Sequence, residues 1–375
     1  MPTGRMAVAP QRHQFVVVGG GLLGLSTAWA LSRRGHEVVV LEAHSVGHDH
    51  SGSKGRARIF RLSYTDPLYV RMARAAGVLW RALEAEAGTT LLHQTGQLNF
   101  GQHLNELAGS LGQSGVPIEH LSAQETRERF PDLSVEGPSL FEASSGVLVA
   151  DRCLQALQRT GSFEVREGCP VQGVDEDEDG VTITCGDRTR LRADAVIVCA
   201  GPATTALLGG ARTPAAALPS LQQVVYLQSP SAELAVPPFI EWGNDMVYGL
   251  PVIGQALVKL SHHTSGPVMA DPFDPANDDP DLLAQLRRAA ERLLPTCGPE
   301  PVATERCHYD ATWDGDFLLD RRGRLVVGSG TSGHGFKFGP LLGELLADLA
   351  TSVDPSFDLR RFSLSRTPNR SGVNP

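Results

Sequence analysis

The chain has 375 residues, 41% of them hydrophobic and 20% charged, and a net charge of −9. That is ordinary globular composition with room for about two domains, and an acidic chain lacks the basic footprint of a nucleic-acid binder. The opening MPTGRMAVAPQRHQ lacks the apolar core of about 7–15 residues of a secretory signal, no apolar run reaches the roughly 18 residues of a membrane span, and the final Val-Asn-Pro is no peroxisomal address, so a cytoplasmic protein without a membrane partner is expected. The six cysteines (153, 169, 185, 199, 297, 307) show no pair spacing, which predicts neither a disulfide framework nor a metal site.

In chain order, Phe15–Val18 reads as a buried parallel strand, GGGLLG (19–24) as a turn, and Leu25 to about Arg34 as a helix stopped by Gly35. Val38–Leu41 is a second strand ending at Glu42. Residues 43–66 read as irregular, polar and basic. The trio His44, His48 and His50 lacks a supporting carboxylate pattern and is taken as loop. A helix follows over Pro67–Ala87. Residues 89–140 mix short strands with a polar helix around Ser122–Phe130, which Pro131 ends.

GVLVADRCLQALQR (146–159) reads as a strand or turn and then a helix. Phe163–Glu167 and Val171–Val174 are expected strands, DEDEDG (175–180) a solvated hairpin end, and VTITC (181–185) an alternating strand. Another alternating strand is expected at about Thr189–Arg192, and a separate buried one at DAVIVCAGP (194–202). Residues 213–310 are strand-rich with one helix near 281–294. The last section gives a strand at Leu325–Val327, the glycine-rich loop GSGTSGHGFKFG (328–339) and a helix opened by Pro340, a geometry that gathers backbone N–H donors on an anion. These pieces predict an α/β dinucleotide-type, Rossmann-like domain that is discontinuous (1–88, 141–212 and 311–375), interleaved with a second domain (89–140 and 213–310).

Gly19, Gly21 and Gly24, with Leu22 and Leu23 between the last two, match G-x-G-x-x-G after a strand and into a helix. Glu42 ends the next strand, where a carboxylate accepts from ribose hydroxyls and disfavours a 2′-phosphate. The fingerprint therefore indicates FAD or NAD and does not choose between them.

The order of further segments does choose. GSKGRARIFRLSY (52–64), GVLVADRCLQAL (146–157), DAVIVCAG (194–201), VYGLPVIGQALVKLSHH (247–263), RCHYDATWDGDFLLD (306–320) and GSGTSGHGFKFG (328–339) resemble the monomeric sarcosine oxidase family, which includes N-methyltryptophan oxidase. The resemblance spans nearly the whole chain. It implies FAD, a substrate domain built on a mainly antiparallel sheet, and oxidation of a secondary N-methyl or cyclic amino acid to an imine by hydride transfer to flavin, with O2 reduced to H2O2. It implies a covalent link from Cys307 to FAD, a carboxylate clamp at Arg61 and Lys337, and oxygen activation at Lys259. Arg58, Tyr64, Tyr248, His263, Tyr309 and His334 fall on flavin- or substrate-facing positions. Lys54, Val171, Gly201, Gly333, Gly335 and Phe336 fall on the cofactor side. A monomer is the family's usual state. Lys54 replaces a family histidine, and His308 and Asp310 replace more neutral neighbours of the cysteine.

The residues make chemical sense beside the resemblance. A cation in a glycine loop is costly unless it meets an anion, which suits Lys337. Arg61 can offer a planar fork to a carboxylate, although composition alone reads RGRARIFR as a solvated basic face. In ALVKLSHH a period of two puts Lys259, Ser261 and His263 on one face and His262 on the other. Other assignments stand beside the main one: a D-amino acid or glycine oxidase, a flavin dehydrogenase with a non-oxygen acceptor, and, of another class, a non-catalytic flavin-binding sensor.

Overall fold

A computed structural model describes residues 11–209, 217–231, 236–263, 266–269 and 277–367. The first ten residues and the C-terminal tripeptide, on which targeting expectations rest, lie outside them. The valine run Arg12–Val18 forms the centre of an eight-stranded sheet, paired in parallel with Val38–Leu41 on one side and Arg190–Val198 on the other. Both faces of these strands are covered, as continuous apolar strands require. Phe15, Val17 and Val38 bury on one side with helices Leu22–Arg33, Pro67–Ala87 and Gly339–Thr351. Val16, Val18 and Val39 bury on the other against the hairpin of Val171–Asp177 and Gly180–Cys185.

Several expectations change in detail. Thr189–Arg192 and 194–202 are one strand, Arg190–Val198, whose first half pairs antiparallel with Gly180–Cys185 and whose second half pairs parallel with Leu325–Ser329. The acidic turn is tighter than the composition suggested, since strand pairing runs to Asp177 and resumes at Gly180. The first helix begins at Leu22, three residues before the apolar pattern, because Gly21 in extended geometry is its N-cap. Leu104–Gln113 is a helix that the sequence reading missed; its glycines and polar residues hid the period. Arg58–Phe60 is a short strand within the segment read as irregular, paired with Gly146–Leu148. The helix Pro67–Ala87 has the expected bounds: the Asp66 carboxylate accepts from the Leu68 N–H at 2.8 Å, and Gly88 ends it with φ +62°.

The second eight-stranded sheet runs Ala303–Ala311, Leu218–Gln228, Leu257–His262, Val247–Pro251, Phe239–Trp242, Gln97–Gly101, Ser139–Glu142, Glu119–Leu121. Every neighbouring pair is antiparallel except Phe239–Trp242 with Gln97–Gly101. One face carries Val225, Leu227, Val258 and Leu260 in a core closed by helix Pro280–Leu293. Alternation sends Lys259 and His263 to the opposite face, where a cavity separates this sheet from the first.

Candidate cofactor and substrate site

The cavity measures about 560 Å³ and draws its lining from both sheets. At one end stands the glycine turn. Gly19 has φ +104°, and a Cβ there would lie 2.4 Å from the Cys199 carbonyl oxygen; a Cβ on Gly24 would lie 1.9 Å from the Gly19 oxygen. Those two glycines let strand ends and helix approach one another. Gly21 is different, because it lines the cavity and caps the helix without a side chain. The Leu22 N–H donates to Ser53 Oγ at 2.9 Å, and Gly21 and Leu23 bring the rest of the positive helix end to the cavity, where it can face an anion. Glu42 is buried, and its carboxylate accepts from the Gly20 N–H at 2.6 Å and the His44 N–H at 2.9 Å. It is held rigidly at the wall beside Leu22, Leu23, Val171 and Gly201, which line the same cavity.

Cys307, Tyr309, Arg58 and Lys259 form the next group. Cys307 sits in the strand Ala303–Ala311 opposite Gln222. Arg58 donates to the carbonyls of Ala57, Gly52 and Lys54, and its guanidinium covers the Phe336 ring at 5.4 Å. Gly55 makes room for it: a Cβ there would lie 3.1 Å from the guanidinium. Lys259 is 2% exposed, and its ammonium donates to the Ala57 carbonyl at 3.4 Å. Burial, and then Arg58, lower its pKa to about 8, while Cys307 and Glu305 act in the opposite sense. Burial raises Tyr248 and takes Tyr309 well above the ordinary phenol value, so both are neutral hydroxyls. Gly333, with φ +74°, lies against Tyr309, and any side chain there would strike the ring.

Arg61 and Lys337 form the third group. Both are buried, and both donate to backbone carbonyls, Arg61 to Ser63 at 2.8 Å and Lys337 to His334 at 2.7 Å. Arg61 stacks on Tyr64 at 4.2 Å and on Trp242 at 5.3 Å. Burial, and then Arg61, hold Lys337 well below the usual lysine value, and among the described residues no carboxylate opposes that shift. Burial followed by these two cations lowers His263 to about 3, so its ring is neutral. His334 is lowered well below its usual value by burial and Lys337. Its tautomer follows from its partners: Nε2 lies 3.0 Å from the Gly315 carbonyl and must donate, so Nδ1 accepts from the Tyr64 hydroxyl at 3.3 Å. Tyr64 itself is raised to about 12 by burial, against Arg61.

Most of the expected positions converge on this cavity; some do not. Lys54 does not line it. Its ammonium turns to Asp49 at 3.8 Å and only its carbonyl reaches Arg58. Tyr64 acts behind Arg61, and Gly24 is buried under the turn. The loop 333–337, including Gly335 and Phe336, lines the cavity, whereas the start of helix Gly339–Thr351 is buried against Leu22. A 3-10 turn, Phe336–Phe338, intervenes between this loop and the helix that contains Pro340. Reasoning from sequence missed Trp242 and Asn99. Trp242 Nε1 donates to Asn99 Oδ1 at 3.0 Å, and Asn99 Nδ2 donates to Ser63 Oγ at 2.9 Å, a chain that fixes the residue accepting from Arg61. Two amides, Gln97 and Asn99, on one face of the strand Gln97–Gly101 were the available signal. Ile240, Met246 and Leu250 complete an apolar wall.

The chain is similar to known proteins over most of its length. The family described as FAD dependent oxidoreductase matches residues 14–349. Peroxisomal sarcosine oxidase of Homo sapiens is 33% identical, across 97% of this chain and 98% of the relative. N-methyl-L-tryptophan oxidase of Salmonella arizonae is 30% identical, across 95% and 99%. Among solved structures, NikD, described as an unusual amino acid oxidase essential for nikkomycin biosynthesis, superposes with a TM-score of 0.83 at 27% identity, covering 95% of this chain and 98% of that one.

Proposed function

The chain belongs to the FAD dependent oxidoreductase family, and on that premise we propose that it oxidises a secondary amino acid, N-methylated or cyclic, to an imine. One observation carries the substrate class. Arg61 and Lys337 are two buried cations on one cavity, and among the described residues they donate to neutral backbone carbonyls. Buried charges need a counter-charge, and an amino acid carboxylate is the anion that a fork and a point charge would hold together.

The residues present fit FAD. Gly21 brings the helix end to the cavity for its pyrophosphate, Glu42 is set for its ribose, and Cys307 lines the cavity as the thiol for a thioether. When bound, FAD supplies the hydride acceptor. The protein supplies the rest. Arg61 and Lys337 hold the carboxylate, which fixes the substrate Cα–H against the cavity and makes the transfer effectively unimolecular. The same two charges disfavour an ammonium beside them and so help keep the amine neutral. Neutral His263 and Tyr248 add no competing charge. Ile240, Met246 and Leu250 exclude water. A buried ammonium at Lys259 on the cavity wall would stabilise the charge developing on dioxygen, which supports O2 as the acceptor and H2O2 as the product.

Anaerobic mixing with sarcosine, an N-methyl aromatic amino acid, pipecolate and proline tests the reaction. At least one should bleach the yellow chromophore; failure of all of them overturns the reading. Stoichiometric peroxide on admitting air identifies an oxidase, and its absence identifies a dehydrogenase. Acid precipitation should leave a yellow pellet, and a colourless pellet rules out attachment at Cys307. The five other cysteines, 153, 169, 185, 199 and 297, are free thiols, which suits a reducing, cytoplasmic setting.

A further inference from the structure

Two cysteines that the reaction does not use meet in the wall of the cofactor cavity. Cys169 precedes the strand Val171–Asp177, and Cys185 ends the strand Gly180–Cys185. They are 16 positions apart, but the hairpin folds back and brings their sulfurs to 3.1 Å. Gly186 N–H donates to the Pro170 carbonyl at 2.8 Å and Val171 pairs with Cys185, so the backbone holds the two thiols side by side. Cys185 is buried in the core under the sheet, whereas Cys169 is partly exposed and lines the cavity.

The same segment is tied to the cofactor wall. Cys169 N–H donates to the Glu42 carbonyl at 2.8 Å, Gly168 N–H donates to the His44 carbonyl at 2.9 Å, and Glu42 N–H donates to the Arg166 carbonyl at 2.9 Å. Whatever fixes Cys169 to Cys185 therefore also fixes the strip of backbone that carries Glu42.

We propose that Cys169 and Cys185 are a redox-active dithiol that hydrogen peroxide closes to a disulfide, locking the hairpin onto the Glu42 wall. In the first step the Cys169 thiolate attacks one peroxide oxygen and the O–O bond breaks, giving a sulfenic acid and hydroxide. In the second, the Cys185 sulfur attacks the sulfenic sulfur, the S–O bond breaks, and water leaves as the S–S bond forms. Overall two thiols and one peroxide give one disulfide and two waters, with sulfur oxidised and peroxide reduced. The sulfurs must close by about 1 Å to reach the bond length of roughly 2.05 Å. The order follows from access, since peroxide entering the cavity meets Cys169. Burial raises Cys185 to about 12, with Cys169 adding to the effect, so Cys185 acts second, as the resolving thiol.

This proposal does not depend on the enzyme making peroxide, because the peroxide can be added. The purified holoenzyme is treated with a small excess of hydrogen peroxide, alkylated with iodoacetamide, and mapped by mass spectrometry without reductant. The expected result is a peptide joining Cys169 to Cys185, two hydrogens lighter than the separate peptides, restored to two alkylated thiols by dithiothreitol. The oxidised protein should also melt at a higher temperature than the reduced one, and Cys185→Ser should abolish both the cross-link and the shift. Full alkylation of Cys169 after peroxide, or its conversion to sulfinic acid without cross-linking, overturns the proposal.

Discussion

Two pairs of cations face one cavity, and they differ in what balances them. Arg58 and Lys259 have a protein carboxylate in their neighbourhood: Glu305 accepts from the Tyr226 hydroxyl at 2.9 Å and supports the charge on Lys259. Arg61 and Lys337 have carbonyl oxygens and aromatic faces instead, and Lys337 is held down by burial and by its own partner. A charge that the protein completes is available in every state of the enzyme. A charge left for the ligand to complete is a recognition element, strongest when the correct anion arrives. The first pair therefore suits a step common to all substrates, and the second suits choosing among them.

Substitutions can break this contrast. Arg61→Met or Lys337→Met strips one side of a buried charged contact, worth about 2–5 kcal/mol. Stopped-flow reduction should show kcat/KM for a carboxylate substrate lower by about 10²–10³-fold, with the oxygen reaction of the reduced enzyme little changed. Lys259→Met should do the reverse, slowing reoxidation by about 10²-fold while anaerobic reduction holds. Equal slowing of both steps by either variant would erase the distinction between the pairs.

Titration sharpens it. Lys259 has a lowered pKa of about 8, so it is charged below that pH and neutral above it. Reoxidation should fall by about tenfold between pH 7 and pH 9, and a flat profile would remove Lys259 from the step. Glu305→Gln removes a group that raises Lys259, so the fall should move to lower pH. Trp242→Phe should have the smallest effect. It loses the hydrogen bond to Asn99 and part of the stacking on Arg61, together about 1 kcal/mol, or roughly a fivefold rise in KM for the carboxylate substrate.

Legibility in the sequence followed locality. Gly19–Gly24 and Glu42 could be placed because a strand, turn, helix and strand are fixed by neighbours in the chain. The face carrying Lys259 followed from the period of two. Lys54 was misplaced because its register in a polar loop has no period, and Asp49 captures the ammonium. The 3-10 turn before Pro340 was invisible because Pro340 marks a helix start in either geometry. Ile240, Met246 and Leu250 carry no chemical signature, so an apolar wall reads like any other core. Cys169 and Cys185 had no spacing to betray them; only the hairpin's return brings them together.

The cavity also imposes an order on biosynthesis. Lys337 is anchored by a contact far back in the chain, since Trp80 Nε1 donates to the Lys337 carbonyl at 2.8 Å. At about 5–20 residues per second, a ribosome needs roughly 15–60 s to pass from Glu42 to Lys337. Through that interval the nascent chain carries the glycine turn and its carboxylate but lacks half of the carboxylate anchor. The cofactor wall is incomplete until Cys307 and the 333–337 loop have emerged, so an unfinished polypeptide cannot turn over its substrate.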